Sequence, residues 1–291
     1  MKFALFIGCN IPARVQQYEL SARAVMDKLN IDTVDIREFN CCGYPMRNMD
    51  FNTYLLFAAR NLALAEIQDL DMMTLCKCCY GSLKKAAHLL KEDTHLRDSV
   101  NTFLSREGLA YNGKYQVTHF LAVLHKDFGV GALKEKINRK YKDLNIATHY
   151  GCHALRPSEI MQFDNPAAPV LFDELVTVTG ARSVDWPLKL DCCGAPLMGI
   201  NDKLSMDLTN RKLADGRQTG ADFLCSACPW CQLQFDTVQQ MPASNSGGNH
   251  KLPSILYPQL LGLGLGIDEK ALGLNMNRID ITGIKAYFSE E

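Results

Sequence analysis

Five cysteines occur twice in this chain, in the same order and at nearly the same spacing. The first set is Cys9, Cys41-Cys42, Cys76 and Cys79; the second is Cys152, Cys192-Cys193, Cys228 and Cys231. Between the groups run 31 and 33 residues in the first set, and 39 and 34 in the second. One zinc ion or one ordinary iron–sulfur cube takes four protein ligands. A set of five, two of them vicinal, points to a larger or less regular metal cluster. Two sets point to two clusters, and two clusters suit a two-electron reaction.

The vicinal pairs carry the most specific chemistry. Adjacent side chains on an extended backbone diverge, so neighbouring cysteines bind one tetrahedral ion poorly. In a tight turn they reach two metals or bridge them. Gly43 and Gly194 follow the pairs, and Pro45 and Pro196 come two residues later, which supports a turn in each. The clips Cys76-Lys77-Cys78-Cys79 and Cys228-Pro229-Trp230-Cys231 suit zinc and iron sites alike. Cys225-Ser226-Ala227-Cys228 offers the second set an alternative frame. The frame with Cys228 and Cys231 is preferred, because its 34-residue spacing from Cys193 nearly equals the 33 of the first set. Cys78 and Cys225 fall outside both sets and are expected to be buried or idle thiols.

The elements that must position these groups also repeat. Gly8-Cys9-Asn10 is echoed by Gly151-Cys152-His153, and Cys41-Cys42-Gly43-Tyr44-Pro45-Met46 by Cys192-Cys193-Gly194-Ala195-Pro196-Leu197. The stretch from Val117 to Gly129 lines up loosely with Leu252 to Gly264, an offset of 135. The first half carries its extra residues late, in a polar helix near Thr94 to Glu107. The duplication predicts two domains, 1–143 and 144–291, with a connector near Tyr141 to Asn145. Periodicity predicts strands at Lys2–Ile7, Thr33–Phe39 and Met72–Leu75, with helices from Pro12 through Leu29, over Tyr54–Ile67 and over Gly81–Leu90. The second half predicts strands at Ile146–Tyr150, Arg182–Trp186 and Ala221–Leu224, with helices at Pro169–Val178, Lys203–Arg217 and from Pro229. The fold class is therefore α/β, with three strand–loop–helix units per half. Each half is a small parallel sheet with flanking helices and its cysteine loops at the carboxyl edge, where open parallel sheets place their ligands.

Bulk properties agree with this. The 291 residues leave room for two domains, and a 47% hydrophobic content builds ordinary cores without disulfides. Twelve cysteines in a chain this long do not read as a small secreted disulfide scaffold. Net charge is -1, which gives no footprint for nucleic acid or anionic membrane. No uninterrupted apolar stretch reaches membrane-spanning length, and the run Phe3 to Ile7 is too short for a signal peptide. The expected location is cytoplasmic. Gly262-Leu263-Gly264-Leu265-Gly266 lacks the spacing of a nucleotide loop, and Lys134 to Lys142 is expected to be a solvated helix face.

The five-cysteine constellation resembles the cysteine-rich, or CCG, domain family, over most of both halves. With two such domains and no appended ferredoxin module, the chain resembles the B-subunit family of the heterodisulfide reductases of methanogens. The resemblance implies two non-cubane [4Fe-4S] clusters, on Cys9, Cys41, Cys42, Cys76 and Cys79, and on Cys152, Cys192, Cys193, Cys228 and Cys231. It implies reductive cleavage of the mixed disulfide of coenzyme M and coenzyme B between facing clusters. Absent a flavin fingerprint or ferredoxin run, electrons arrive from other chains. The resemblance names these as the iron–sulfur C-subunit and the flavin-containing A-subunit of heterodisulfide reductase, with a hydrogenase or formate dehydrogenase upstream. His153, next to Cys152, is the one candidate proton donor outside the cysteines. Arg14, Arg156, Lys77, Lys84 and Lys85 are the basic residues near the motifs that an anionic substrate would need, each otherwise read as a solvated surface charge. Two other classes fit less of the pattern: a CCG subunit of a glycolate, lactate or succinate oxidoreductase, and a structural zinc protein, which would need four ligands per site rather than five.

Overall fold

The computed structural model describes residues 1–241 and 251–289, so part of the expected second domain, 242–250 and 290–291, lies outside the described residues. The first half opens with strand β1 (Lys2–Phe6), whose apolar run is buried from Phe3 onward. A short helix α1 (Asn10–Arg14) follows, then α2 (Gln16–Lys28), β2 (Asp32–Val34), α3 (Phe51–Ile67), β3 (Met72–Thr74), α4 (Lys77–Glu92), α5 (Thr94–Leu104) and β4 (Val117–His119). From there α6 (Phe120–Ala122) and a π-helical stretch (Val123–Gly129) lead into α7 (Val130–Lys136), with a break in the helical backbone at Gly129 (φ 91°). The second half repeats the order with β5 (Asn145–Thr148), α8 (Ser158–Met161), α9 (Leu171–Val178), β6 (Arg182–Val184), α10 (Asp202–Gln218), β7 (Phe223–Ser226) and α11 (Pro229–Gln232). It ends with β8 (Ser254–Leu256) and α12 (Tyr257–Gly264).

Each half carries one all-parallel, four-stranded sheet, in the orders β2-β1-β3-β4 and β6-β5-β7-β8. Parallel strands need helical crossovers and burial on both faces, which matches the continuous apolar runs of β1 and β7. Equivalent caps fix the long helices: Asp50 accepts from Thr53 N–H at 3.0 Å ahead of α3, and Asn201 accepts from Leu204 N–H at 3.1 Å ahead of α10.

The structure corrects five expectations. Each half has a fourth strand, β4 or β8, which three residues are too few to announce by alternation. These strands align with an offset of 137, from Val117 to Ser254, rather than 135. The strands expected at Thr33–Phe39 and Arg182–Trp186 pair over only three residues each. They are edge strands, and the chain leaves the sheet early to carry the vicinal cysteines over its end. The helix expected from Pro12 to Leu29 breaks at Val15, whose backbone leaves helical space. The basic run Lys134 to Lys142 is helical only to Lys136.

The halves are interlocked. The helical run after β4 packs on α9 of the second half, and α12 after β8 packs on α2 of the first. All of α12 is buried. Helix α4 meets α8, and α1 meets α11, so a single hydrophobic core runs through both halves. Tyr80 Oη donates to the Met161 carbonyl at 2.6 Å, and Lys126 Nζ to the Phe163 carbonyl at 3.0 Å, tying the halves further.

This interlock predicts that residues 1–143 and 144–291, expressed separately, will each lack a cooperative thermal transition by circular dichroism, since each exposes a helix face its partner covers. A half that melts cooperatively near the intact chain's midpoint would show that the exchanged helices are dispensable.

Candidate metal centres

Three chain segments deliver sulfur to each site, and all three leave the carboxyl edge of a sheet. Cys9 and Cys152 follow β1 and β5 after one glycine turn. Cys76 and Cys228 sit in extended conformation just before α4 and α11, so Cys79 and Cys231 come from the first turn of those helices. Helix α4 thus begins at Lys77 rather than at Gly81, as the periodicity suggested, because the clip is itself the helix's first turn. The vicinal pairs lie on loops that turn at Gly43 (φ 80°) and Gly194 (φ 93°), in the left-handed region that favours glycine. A Cβ on Gly43 would stand 2.7 Å from the Tyr54 carbonyl oxygen, and one on Gly194 2.5 Å from that of Ser205. The turns therefore require glycine twice over.

The three segments converge as the spacing anticipated. One small cavity is lined by Cys9, Cys41, Cys42, Cys76 and Cys79. A second is lined by Cys152, Cys192, Cys193, Cys228 and Cys231. Cys78 and Trp230, equivalent positions in the two clips, line both cavities. Only a side-chain layer separates the two, and the sulfurs of Cys76, Cys78 and Cys228 come within 4.8 Å of one another across it.

Crowding sets the electrostatics. The Cys42 and Cys9 thiols push the Cys41 thiol down to about 2, because their S–H groups serve one shared anion. Cys192 is likewise pushed down to about 2 by Cys152 and Cys193. The second member of each pair, Cys42 or Cys193, is pushed up to about 12 by its neighbour. Backbone N–H groups aim at the same sulfurs, with Gly194 N–H donating to Cys192 Sγ at 3.4 Å. His149 Nε2 lies 3.3 Å from Cys231 Sγ, and His149, Cys193 and Cys231 put three ligand atoms within 4.8 Å. Lys77 is 2% exposed, and its Nζ donates to the carbonyls of His149 (3.1 Å) and Tyr150 (2.9 Å) across the interface between the halves. Burial pushes its ammonium down, and the Cys231 and Cys228 thiolates pull it back up.

These residues fit a thiolate-bound polynuclear metal group. All twelve cysteines are free. The Asn10 Nδ2 donor, on a residue lining the first cavity, is buried without a partner, as is Nδ1 of His149, which lines the second. Buried polar atoms of this kind suit partners brought by a bound group.

His153 lines the second cavity, with Nδ1 3.3 Å from Cys78 Sγ and 3.6 Å from Cys152 Sγ, and Nε2 3.1 Å from Tyr44 Oη. Cys225 is fully buried within β7 and lines neither cavity, as an idle thiol should. Cys78 is no idle thiol by position, since it lies between the sites. Among the five basic candidates only Lys77 lines a cysteine cavity, and its burial overturns its reading as a solvated charge. Arg14 lines a separate polar cleft with Arg278 and Asp236, Arg156 is exposed, Lys85 is half-buried on α4, and Lys84 donates to the Met161 carbonyl at 2.7 Å. Asn10, His149 and Lys212 escaped the sequence reading. His149 left a trace there, as a polar residue closing a strand where the first half has Phe6.

Comparison with known proteins agrees with this geometry. The cysteine-rich domain profile of the CCG family matches residues 3–84 and again 146–236. The chain is 38% identical to the B-subunit of the ferredoxin/F420H2-dependent CoB-CoM heterodisulfide reductase of Methanosarcina acetivorans, over 96% of this chain and 94% of that one. It is 33% identical to the 8-methylmenaquinol:fumarate reductase membrane anchor subunit of Wolinella succinogenes, over 97% and 98% of the two chains. A hypothetical protein from Helicobacter pylori shares the fold, with a TM-score of 0.75 at 19% identity. It is covered over 97% of this chain but only about half, 52%, of its own length. Among the described residues, no helix is long and apolar enough to cross a membrane.

The glycine turns yield a quantitative prediction. Gly43→Ala or Gly194→Ala is expected to cost about 1–3 kcal/mol from the left-handed backbone alone, with the carbonyl overlap adding to it. Anaerobic chemical denaturation measures this; a cost below about 0.5 kcal/mol, the usual range of a surface substitution, would mean the loops re-form without their turn.

Proposed function

This chain belongs to the cysteine-rich CCG domain family, and from that premise we propose that it is the catalytic subunit of a heterodisulfide reductase. Its relatives are subunits of oxidoreductase complexes, and an oxidoreductase role within an assembly of several chains follows from them. The finer reading is that two non-cubane [4Fe-4S] clusters are held, one on Cys9, Cys41, Cys42, Cys76 and Cys79, the other on Cys152, Cys192, Cys193, Cys228 and Cys231. The observation that carries it is the pair of adjoining five-cysteine cavities, which share Cys78 and Trp230 in their walls. We place the domain boundary at 143/144.

The substrate class is a mixed disulfide, of which that of coenzyme M and coenzyme B is the one the relatives name. Its reduction takes two electrons and two protons and yields two thiols. When bound, the clusters supply one electron each. The chain's own residues do the rest. Ten cysteines would hold the clusters, and backbone N–H groups at 43–44 and 194–195 steady the vicinal sulfurs. To His153, half-buried and 3.1 Å from Tyr44 Oη, we assign the protonation of a leaving thiolate. Cys9 is exposed, which makes the first site the accessible edge for electrons from an iron–sulfur subunit, itself fed by a flavin-containing subunit, with a hydrogenase or formate dehydrogenase upstream. We place the complex in the cytoplasm. The fumarate reductase relative at 33% identity supports a second reading, in which the same sites pass electrons between a quinol and fumarate.

Two measurements test this. Anaerobically purified chain should carry about eight iron and eight labile sulfide, as two four-iron clusters require. Cys42→Ser and Cys193→Ser should each remove one cluster's electron paramagnetic resonance signal and leave the other. Stoichiometric zinc without sulfide would overturn the reading. Secondly, with its iron–sulfur partner and reduced viologen, the chain should reduce the coenzyme M–coenzyme B disulfide, and loss of either cluster should abolish turnover. Turnover with fumarate but not with the disulfide would favour the second reading.

A further inference from the structure

We infer that the two metal sites are electrostatically unequal, and that the second, on Cys152, Cys192, Cys193, Cys228 and Cys231, is the one that takes up the first electron. The inference rests on the cluster reading above and extends it to which site is the stronger acceptor. Its basis is a comparison of positions that the duplication makes equivalent.

At four such positions around the sites the halves differ so that the imidazole or ammonium belongs to the second, while at a fifth Tyr44 lines the first cavity where Ala195 lines the second. Lys77 of the first clip crosses into the second site, and its equivalent, Pro229, lines the first cavity. His149, with Nε2 3.3 Å from Cys231 Sγ, stands where the first half has the buried ring of Phe6. His153, with Nδ1 3.6 Å from Cys152 Sγ, stands where the first half has the neutral amide of Asn10. Lys212, 1% exposed, donates to the Leu188 carbonyl with its Nζ 4.7 Å from the centre of the Trp186 ring. Its equivalent is Asn61, which serves the Asn40 side chain and the Cys41 carbonyl.

Taken together, the four favour added negative charge at the second site, with the two ammonium groups contributing most. Reduction adds one electron to a thiolate-bound cluster, and both N–H donors to sulfur and nearby cations raise the potential at which it occurs. Lys77 and Lys212 are buried, so solvent screens them little, whereas a solvated charge at the same distance would count for much less. Two charges oppose the trend. Arg47 lies over the Tyr44 ring, 5.2 Å from its centre, at the first site, and Asp191 adjoins Cys192 at the second. Arg47 is half-buried and Asp191 exposed, so water weakens both more than it weakens the buried pair.

The asymmetry gives the pair a direction. The first site holds the exposed cysteine, Cys9, and among the described residues no lysine or arginine lines its cavity, so an electron entering there finds a lower-energy place one side-chain layer away.

Anaerobic redox titration followed by electron paramagnetic resonance tests this on the complete, cluster-loaded chain. Each signal is assigned by its loss in Cys42→Ser or Cys193→Ser. The second site's midpoint should lie above the first's. Lys77→Met should lower the second midpoint and leave the first nearly unmoved, and Lys77→Arg should restore it, which a merely structural role for the side chain would not do. His149→Phe copies the residue the first half already packs at that position, and should lower the second midpoint independently if Lys77→Met misfolds. Equal or reversed midpoints in the intact chain, or a second midpoint unmoved in both His149→Phe and a folded Lys77→Met, would overturn the inference while leaving the clusters in place. Absence of two iron–sulfur signals, with iron and sulfide analysis to match, would instead remove the cluster reading itself and this inference with it.

Discussion

Ten cysteine sulfurs gathered into two adjoining cavities are costly to bury together, and the rest of the architecture answers that cost. Thiols this close share protons unequally, so that Cys41 and Cys192 are driven toward thiolate while Cys42 and Cys193 are driven away from it. A buried charge needs either a partner or a bound cation. Backbone N–H groups at the glycine turns, the histidines beside Cys231 and Cys152, and the ammonium of Lys77 supply part of that compensation. A bound metal group would supply the rest, and in doing so would convert mutual repulsion into common ligation.

The sheets serve this arrangement by geometry. Parallel strands send every carboxyl end to the same edge, so loops separated by more than thirty residues arrive together. Clips at the start of α4 and α11 then place two sulfurs on one face of a helical turn. Interlocking brings the two edges within a side chain of each other: the helices that follow β4 and β8 cover the opposite half, and the clips meet with Cys78 and Trp230 between them. Neither site is complete from one half alone, since Lys77 lines the second cavity and Pro229 the first.

Duplication allows the halves to diverge where function gains from inequality. The turn glycines, the helix caps and the sheet orders remain equivalent. What has changed is the surroundings: His149, His153 and Lys77 line the second cavity, whereas Asn10 and Pro229 line the first. Divergence confined to the shell around matched ligand sets alters electrostatics without altering the framework, as expected when two like sites must act in sequence.

Much of this was legible in the chain before any fold was seen. Doubled cysteines, glycines after each vicinal pair, and apolar runs ending at Cys9 and Cys152 report local geometry, which depends on neighbours in sequence. From them follow the α/β class, the duplication and the convergence of each five-cysteine set in one cavity. Other features stayed hidden because they belong to contacts between distant segments. Strands β4 and β8 exist through pairing with β3 and β7, and three residues carry too little pattern to declare them. Lys77 reads as a surface charge until the other half closes over it and offers two carbonyls. Cys78 reads as a spare thiol until the clips meet. His149 reads as one histidine among seven until Cys231 arrives beside it. Spacing along the chain thus determined which residues come together, whereas the packing of one half against the other decided what surrounds them, because burial and charge are properties of the assembled interior.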